Sequence, residues 1–149
     1  MENDITFESL IDDQFHELYF VTGSTSKKYI TKLVRGNIVR DRWSRRHVDG
    51  IVIELYDKNG KNRIYSNWYG CHKIAAVTLE DKDKTMAKFY DGGDGKMYTI
   101  FTTKDEAYRH CVKNLMEQKK KINAKILKIQ EEFEVIEHKP RYDITIKRK

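Results

Sequence analysis

One proline, two cysteines and eight glycines are all that 149 residues contain of the residues that break, staple or loosen a chain. A single proline removes almost no backbone N–H groups, so long elements joined by tight turns are expected. Two cysteines cannot build the disulfide framework of a small secreted domain. No apolar run approaches the ~18 residues of a membrane span, and no membrane partner is expected. The start, Met1-Glu2-Asn3-Asp4, lacks the basic-then-apolar layout of a secretory signal, which gives a cytoplasmic expectation.

Patterns that carry chemistry are missing too. Asp91-Gly92-Gly93-Asp94-Gly95-Lys96 is neither a phosphate loop nor a calcium loop, and reads as a turn. Cys71-His72 and His110-Cys111 are adjacent pairs without zinc-ligand spacing. They read as buried cysteines and satisfied histidines, so no metal is expected. Asp41 and His47 lie together in a basic segment, but no nucleophile or second acid need converge on them. No catalytic residue is assigned, and neither an enzyme nor a cofactor is expected.

What is present is aromatic and charged. Nine Tyr, six Phe and two Trp, with 39% hydrophobic and 35% charged residues, describe a folded chain rather than a disordered one. Its length suits one domain over 1–149. Residues 1–26 hold six acids and no Lys or Arg. Residues 27–47 then place Lys27, Lys28, Lys32, Arg35, Arg40, Arg42, Arg45 and Arg46 against Asp41 alone, in a chain of net charge +6. The excess charge is therefore local. Such a patch attracts polyanions over roughly 8 Å at physiological salt.

The sequence divides into an acidic N-terminal segment (1–26), a β-rich basic barrel (27–102), a long helix (103–136) and a basic tail or edge strand (137–149). In the first, Ile5, Leu10, Ile11, Phe15 and Leu18 fall near helical spacing and predict a short amphipathic helix. The alternative is an acidic head folded back on the basic segment. Strands are predicted at 18–21, 37–40, 50–56, 63–65, 74–79, 85–90 and 96–101, with hairpin turns at Asp57-Lys58-Asn59-Gly60 and 91–95. Thr103-Lys104-Asp105-Glu106 fits a capping box for a helix over 104–134. Its stripe, Tyr108, Val112, Leu115, Ile122, Ile126, Ile129 and Phe133, is interrupted only by Lys119. About 45 Å of helix must pack along a surface, break near Asn123 or pair with a second copy. Pro140 follows, and 142–146 alternates like an edge strand. The expected class is α+β: a small antiparallel barrel or curled sheet, a long C-terminal helix and a terminal edge strand.

Arg35-Gly36-Asn37-Ile38-Val39-Arg40, Val48-Asp49-Gly50-Ile51-Val52-Ile53-Glu54-Leu55-Tyr56, Arg63-Ile64-Tyr65 and Trp68 resemble the SH3-like small barrels of the KOW and Tudor type. The resemblance covers residues 33–69. It implies that Gly36 and Gly50 each begin a strand and that Asp41 to His47 form the loop between them. Members of that family bind nucleic acid, RNA polymerase, ribosomes or modified peptides, so the resemblance leaves the partner open.

In that loop Trp43 stands between Arg42 and Arg45-Arg46, a stackable ring among cations that grip phosphate bidentately. The expected nucleic-acid-binding residues are Lys27, Lys28, Lys32, Arg35, Arg40, Arg42, Trp43, Arg45, Arg46 and His47, for DNA or RNA. Lys119, Lys120, Lys121 and the basic tail would add contacts. Tyr65, Trp68 and Tyr69 offer a second stacking surface, or else are half core and half edge. The alternative is an adaptor or inhibitor that seizes a host protein through the long helix and aromatic strands. A homodimer through that helix is a further expectation. Compact, Lys- and Tyr-rich, nearly proline-free chains of this size are similar in composition to phage accessory proteins, which implies host transcription, nucleoid or defence machinery as the target.

Overall fold

The computed structural model describes residues 4–41, 46–64 and 72–137, without the side chains of 40, 41 and 135–137. Six antiparallel strands form one curled sheet: β1 (His16–Thr22), β2 (Thr25–Asp41), β3 (Arg46–Tyr56), β4 (Ile74–Thr78), β5 (Met86–Asp91) and β6 (Lys96–Phe101). Their order across the sheet is β4-β3-β2-β1-β6-β5. One helix, α1 (Lys104–Glu137), follows, and the fold is α+β. The predicted strands at 142–146, the proline and the basic tail lie outside the described residues, as do Tyr65, Trp68, Tyr69 and Cys71. No described helix is long and apolar enough to cross a membrane.

Alternation places the core. Leu18 and Phe20 of β1, Leu33 of β2, Ile51, Ile53 and Leu55 of β3, Ala75 and Val77 of β4, Ala87 of β5 and Ile100 of β6 form one buried cluster. Successive strand residues point to opposite faces, so these occupy one side of the sheet. Residues 5–11 seal it near the start of β5. Phe7 is fully buried, its N–H donates to the Lys84 carbonyl at 3.1 Å, and that of Glu8 donates to the Lys82 carbonyl at 2.8 Å. The Thr102 hydroxyl donates to the Ile5 carbonyl at 2.5 Å. Near the end of β5, Lys73 pairs with Asp91 at 3.5 Å, linking the approaches to the two edge strands.

The predicted N-terminal helix is corrected to a single 3-10 turn, Glu8–Leu10. Asp12 explains why nothing longer forms. Its carboxylate accepts the Gln14 N–H at 3.0 Å, and Asp13 follows at φ 65°, a local turn that competes with helix. The expected short strand at 37–40 is the end of the 17-residue β2. Gly36 therefore lies inside β2 and Gly50 inside β3, rather than at the starts of strands. The loop expected over 41–47 shortens as well, since β2 runs to Asp41 and β3 begins at Arg46.

The helix starts as its sequence dictates. The Glu106 N–H donates to the Thr103 hydroxyl oxygen at 3.4 Å. The Glu106 carboxylate does not reach back to the backbone; it accepts the hydroxyls of Thr103 at 3.1 Å and Thr85 at 3.0 Å. Ala107 and Cys111 bury against Val21 and Phe101, with Tyr19 alongside, on the face of the sheet opposite the core. The chain forms two compact units, Met1–Val112 and Lys113–Lys149. Helix α1 continues unbroken past Asn123.

Candidate nucleic-acid interface

The longest strand pair builds the candidate site. β2 pairs with β1 only as far as Thr31, opposite His16. β3 pairs with β4 only from Gly50, opposite Thr78. Past those limits β2 and β3 pair with each other alone, through Asn37–Asp49, Ile38–Val48, Val39–His47 and Asp41–Arg46. Among the described residues no third strand joins either side of this stretch, which is a two-stranded ribbon.

Gly36 lies opposite Gly50 where the ribbon leaves the sheet. A Cβ on Gly50 would sit 2.6 Å from Ile38 Cδ1 and 3.0 Å from the Val77 carbonyl oxygen. The absent side chain thus leaves room for Ile38, which is only 7% exposed. Register shifts between Val39 and Asp41, with Arg40 as the extra residue. Such a bulge bends a strand and re-aims its side chains.

The ten expected residues fall into three sets. Arg40 (backbone), Arg46 and His47 stand at the ribbon end, the last two exposed. Arg42, Trp43 and Arg45 lie outside the described residues, between the paired ends Asp41 and Arg46. Lys27, Lys28, Lys32 and Arg35 are spread along β2 and engaged within the fold. Lys28 pairs with Glu17 at 3.3 Å and Arg35 with Glu8 at 2.8 Å. Lys27 Nζ lies 4.9 Å from the Tyr29 ring centroid and Lys32 Nζ 4.7 Å from that of Phe15. Two acids of the N-terminal segment, Glu8 and Glu17, thus pair with two of the four cations that lie within the sheet.

Elsewhere Asp12, Tyr98 and Cys111 make contacts within the fold. Asp12 takes a hydrogen bond from His16 at 2.6 Å, which lowers its carboxyl pKa. The Tyr98 hydroxyl donates to Asp94; burial, then this bond to a carboxylate, raises its pKa. Cys111 is buried, and burial raises its thiol. The neighbouring His110 ring packs 5.1 Å from Phe101. Among the described residues no three His, Cys, Asp or Glu side chains gather as a metal site.

Sequence reading placed a strand at 37–40 but missed that it continues β2, and that β3 begins at Arg46 and takes in Val48 and Asp49. The available signal was the β-branched and aromatic content of Tyr29, Ile30, Thr31, Val34, Ile38 and Val39, continuous across Gly36. Comparison with family models, with curated proteins and with solved structures finds no match. The likeness to small barrels therefore rests on the residue pattern alone.

Proposed function

We propose that this chain is a non-enzymatic nucleic-acid-binding protein that grips the sugar–phosphate backbone of DNA or RNA with the end of its β2–β3 ribbon. The observation that carries the reading is the ribbon itself: two strands paired only to each other among the described residues, ending in Arg40, Arg42, Arg45, Arg46 and His47 against one acid, Asp41. A two-stranded ribbon fits a major groove about 12 Å wide. Arginine offers phosphate a planar pair of donors, and neutralised phosphates release counterions, which supplies sequence-independent affinity. Trp43, between these arginines, supplies a face on which an unpaired base can stack. Lys28 and Arg35, already paired with Glu17 and Glu8, contribute little to the first encounter.

The test is fluorescence anisotropy with random-sequence single- and double-stranded oligonucleotides. The expected result is that Arg42, Arg45 and Arg46 changed together to Glu abolish binding and leave the melting temperature unchanged. Undiminished binding by a folded triple variant overturns the reading. A second reading, an adaptor for a host protein, draws support from the exposed apolar row on α1. It requires capture of that protein to persist at high salt, where polyanion binding fails.

A further inference from the structure

Beyond Val112 the helix forms its own compact unit and leaves an apolar row in water. Leu115 is 50% exposed, Ile122 57%, Ile126 48%, Ile129 63% and Phe133 58%. From Tyr108 the row steps through Val112, Leu115, Lys119, Ile122, Ile126, Ile129 and Phe133, alternating four and three residues without a slip. That is the heptad of a coiled-coil seam, with Val112, Lys119, Ile126 and Phe133 at a and Tyr108, Leu115, Ile122 and Ile129 at d. An unpartnered row of this length marks an interaction surface.

Charge along the same helix identifies the occupant. Residues 113–128 carry Lys113, Lys119, Lys120, Lys121, Lys125 and Lys128 against Glu117 alone, whereas 131–134 carry Glu131, Glu132 and Glu134. The helix is thus basic in one half and acidic in the next. Two copies side by side in parallel would set basic half against basic half and Lys119 against Lys119. Two copies running antiparallel set each basic half against the other's acidic half.

We infer that residues 118–137 of two copies of this chain pair as an antiparallel coiled coil. In its register Ile126 of each copy meets Ile129 of the other, and Ile122 meets Phe133. The same register brings g-position Lys125 opposite Glu132 of the second copy, twice by symmetry, and the e-position amides of Asn123 and Gln130 opposite one another. Sliding by one heptad would instead oppose Lys125 to Lys125 or Glu132 to Glu132, so charge selects the register. Lys119 falls at the outermost layer of the overlap, where its ammonium reaches water while its stem covers the seam. The overlap of 20 residues extends about 30 Å.

Sedimentation of the full chain, without nucleic acid, tests this independently of the binding proposal. The expected species in the micromolar range has twice the chain mass, and Ile126→Asp converts it to monomer with the melting of the sheet unchanged. Lys125→Glu or Glu132→Lys alone weakens association several-fold, and the two together restore it, because each again faces an opposite charge. A chain that stays monomeric at every concentration overturns the inference and leaves the row to another partner. A dimer that survives Ile126→Asp overturns it too. A dimer whose double charge exchange fails to restore association refutes the antiparallel register.

Discussion

Gly36 and Gly50 face each other across β2 and β3 at the point where the two strands leave the six-stranded sheet. A ribbon carrying several like charges needs a firm root, since among the described residues no third strand joins it. Ile38 reaches over Gly50 into the space that a side chain would fill, so the apolar contact that anchors the ribbon depends on a missing Cβ.

Gly50→Ala is therefore expected to destabilise by about 1–3 kcal/mol, as overpacking does. The new methyl would meet Ile38 Cδ1 at 2.6 Å and the Val77 backbone oxygen at 3.0 Å, and a backbone atom cannot rotate away. Gly36→Ala meets only Val52 Cγ2 at 3.1 Å and costs less. Thermal melts of the two variants check the order. Equal stabilities would show that the ribbon is not rooted by this contact.

The two ion pairs of the acidic head make a second prediction. Glu8→Gln with Glu17→Gln releases Arg35 and Lys28 from their partners and removes two negative charges. Stability should move by less than about 1 kcal/mol per pair, because the pairs are exposed. Affinity for oligonucleotides should rise at low salt, and the gain should vanish as salt screens it. Anisotropy titrations at two salt concentrations decide the matter; an unchanged affinity at low salt would show that the head does not compete for the basic strand.

How much of this was legible in the sequence varies with how local the cause is. The alternation of Ile51, Ile53 and Leu55, the turn residues around Gly60 and Gly95, and the Thr103–Glu106 cap are local, and each is found where its residues predict. The N-terminal segment misled because helical spacing among Ile5, Leu10, Ile11 and Phe15 ignores Phe7, the residue that seals the core. Its real role depends on backbone partners at Lys82 and Lys84, far away in sequence. Gly36 was misplaced for a related reason: a glycine inside a long strand and a glycine before a short one look alike until the opposing Gly50 is known. The Glu17–Lys28 pair follows from strand register and the Glu8–Arg35 pair from where the 3-10 turn meets β2, and charge composition reveals neither.

Tyr98 gives a prediction in pH. Burial first, and then its bond to the Asp94 carboxylate, raise its pKa above the ordinary tyrosine value of 10.0. The folded state thus favours the neutral phenol. The associated stability is whole below about pH 10, where the unfolded side chain is also neutral, and is lost as pH rises beyond it. The melting temperature of the wild type should fall more steeply above that pH than the melting temperature of Tyr98→Phe. Parallel curves for the two proteins would show that the phenol is not held this way.

Trp43→Ala separates stacking from charge. Single-strand affinity should drop by about 1–3 kcal/mol if the indole stacks on a base, while duplex affinity, with its bases already stacked, changes less. The melting temperature should stay put. A lowered melting temperature with equal losses on both ligands would make Trp43 a structural residue.

The most direct measurement is the slope of log affinity for random-sequence duplex against log salt. The account predicts a steep negative slope, with about 0.9 units for each phosphate neutralised. Arg42, Arg45 and Arg46 changed together to Ala should flatten it by about three units, one contact for each arginine. A slope the same in wild type and triple variant, or binding indifferent to salt, would contradict a nucleic-acid grip at the ribbon end.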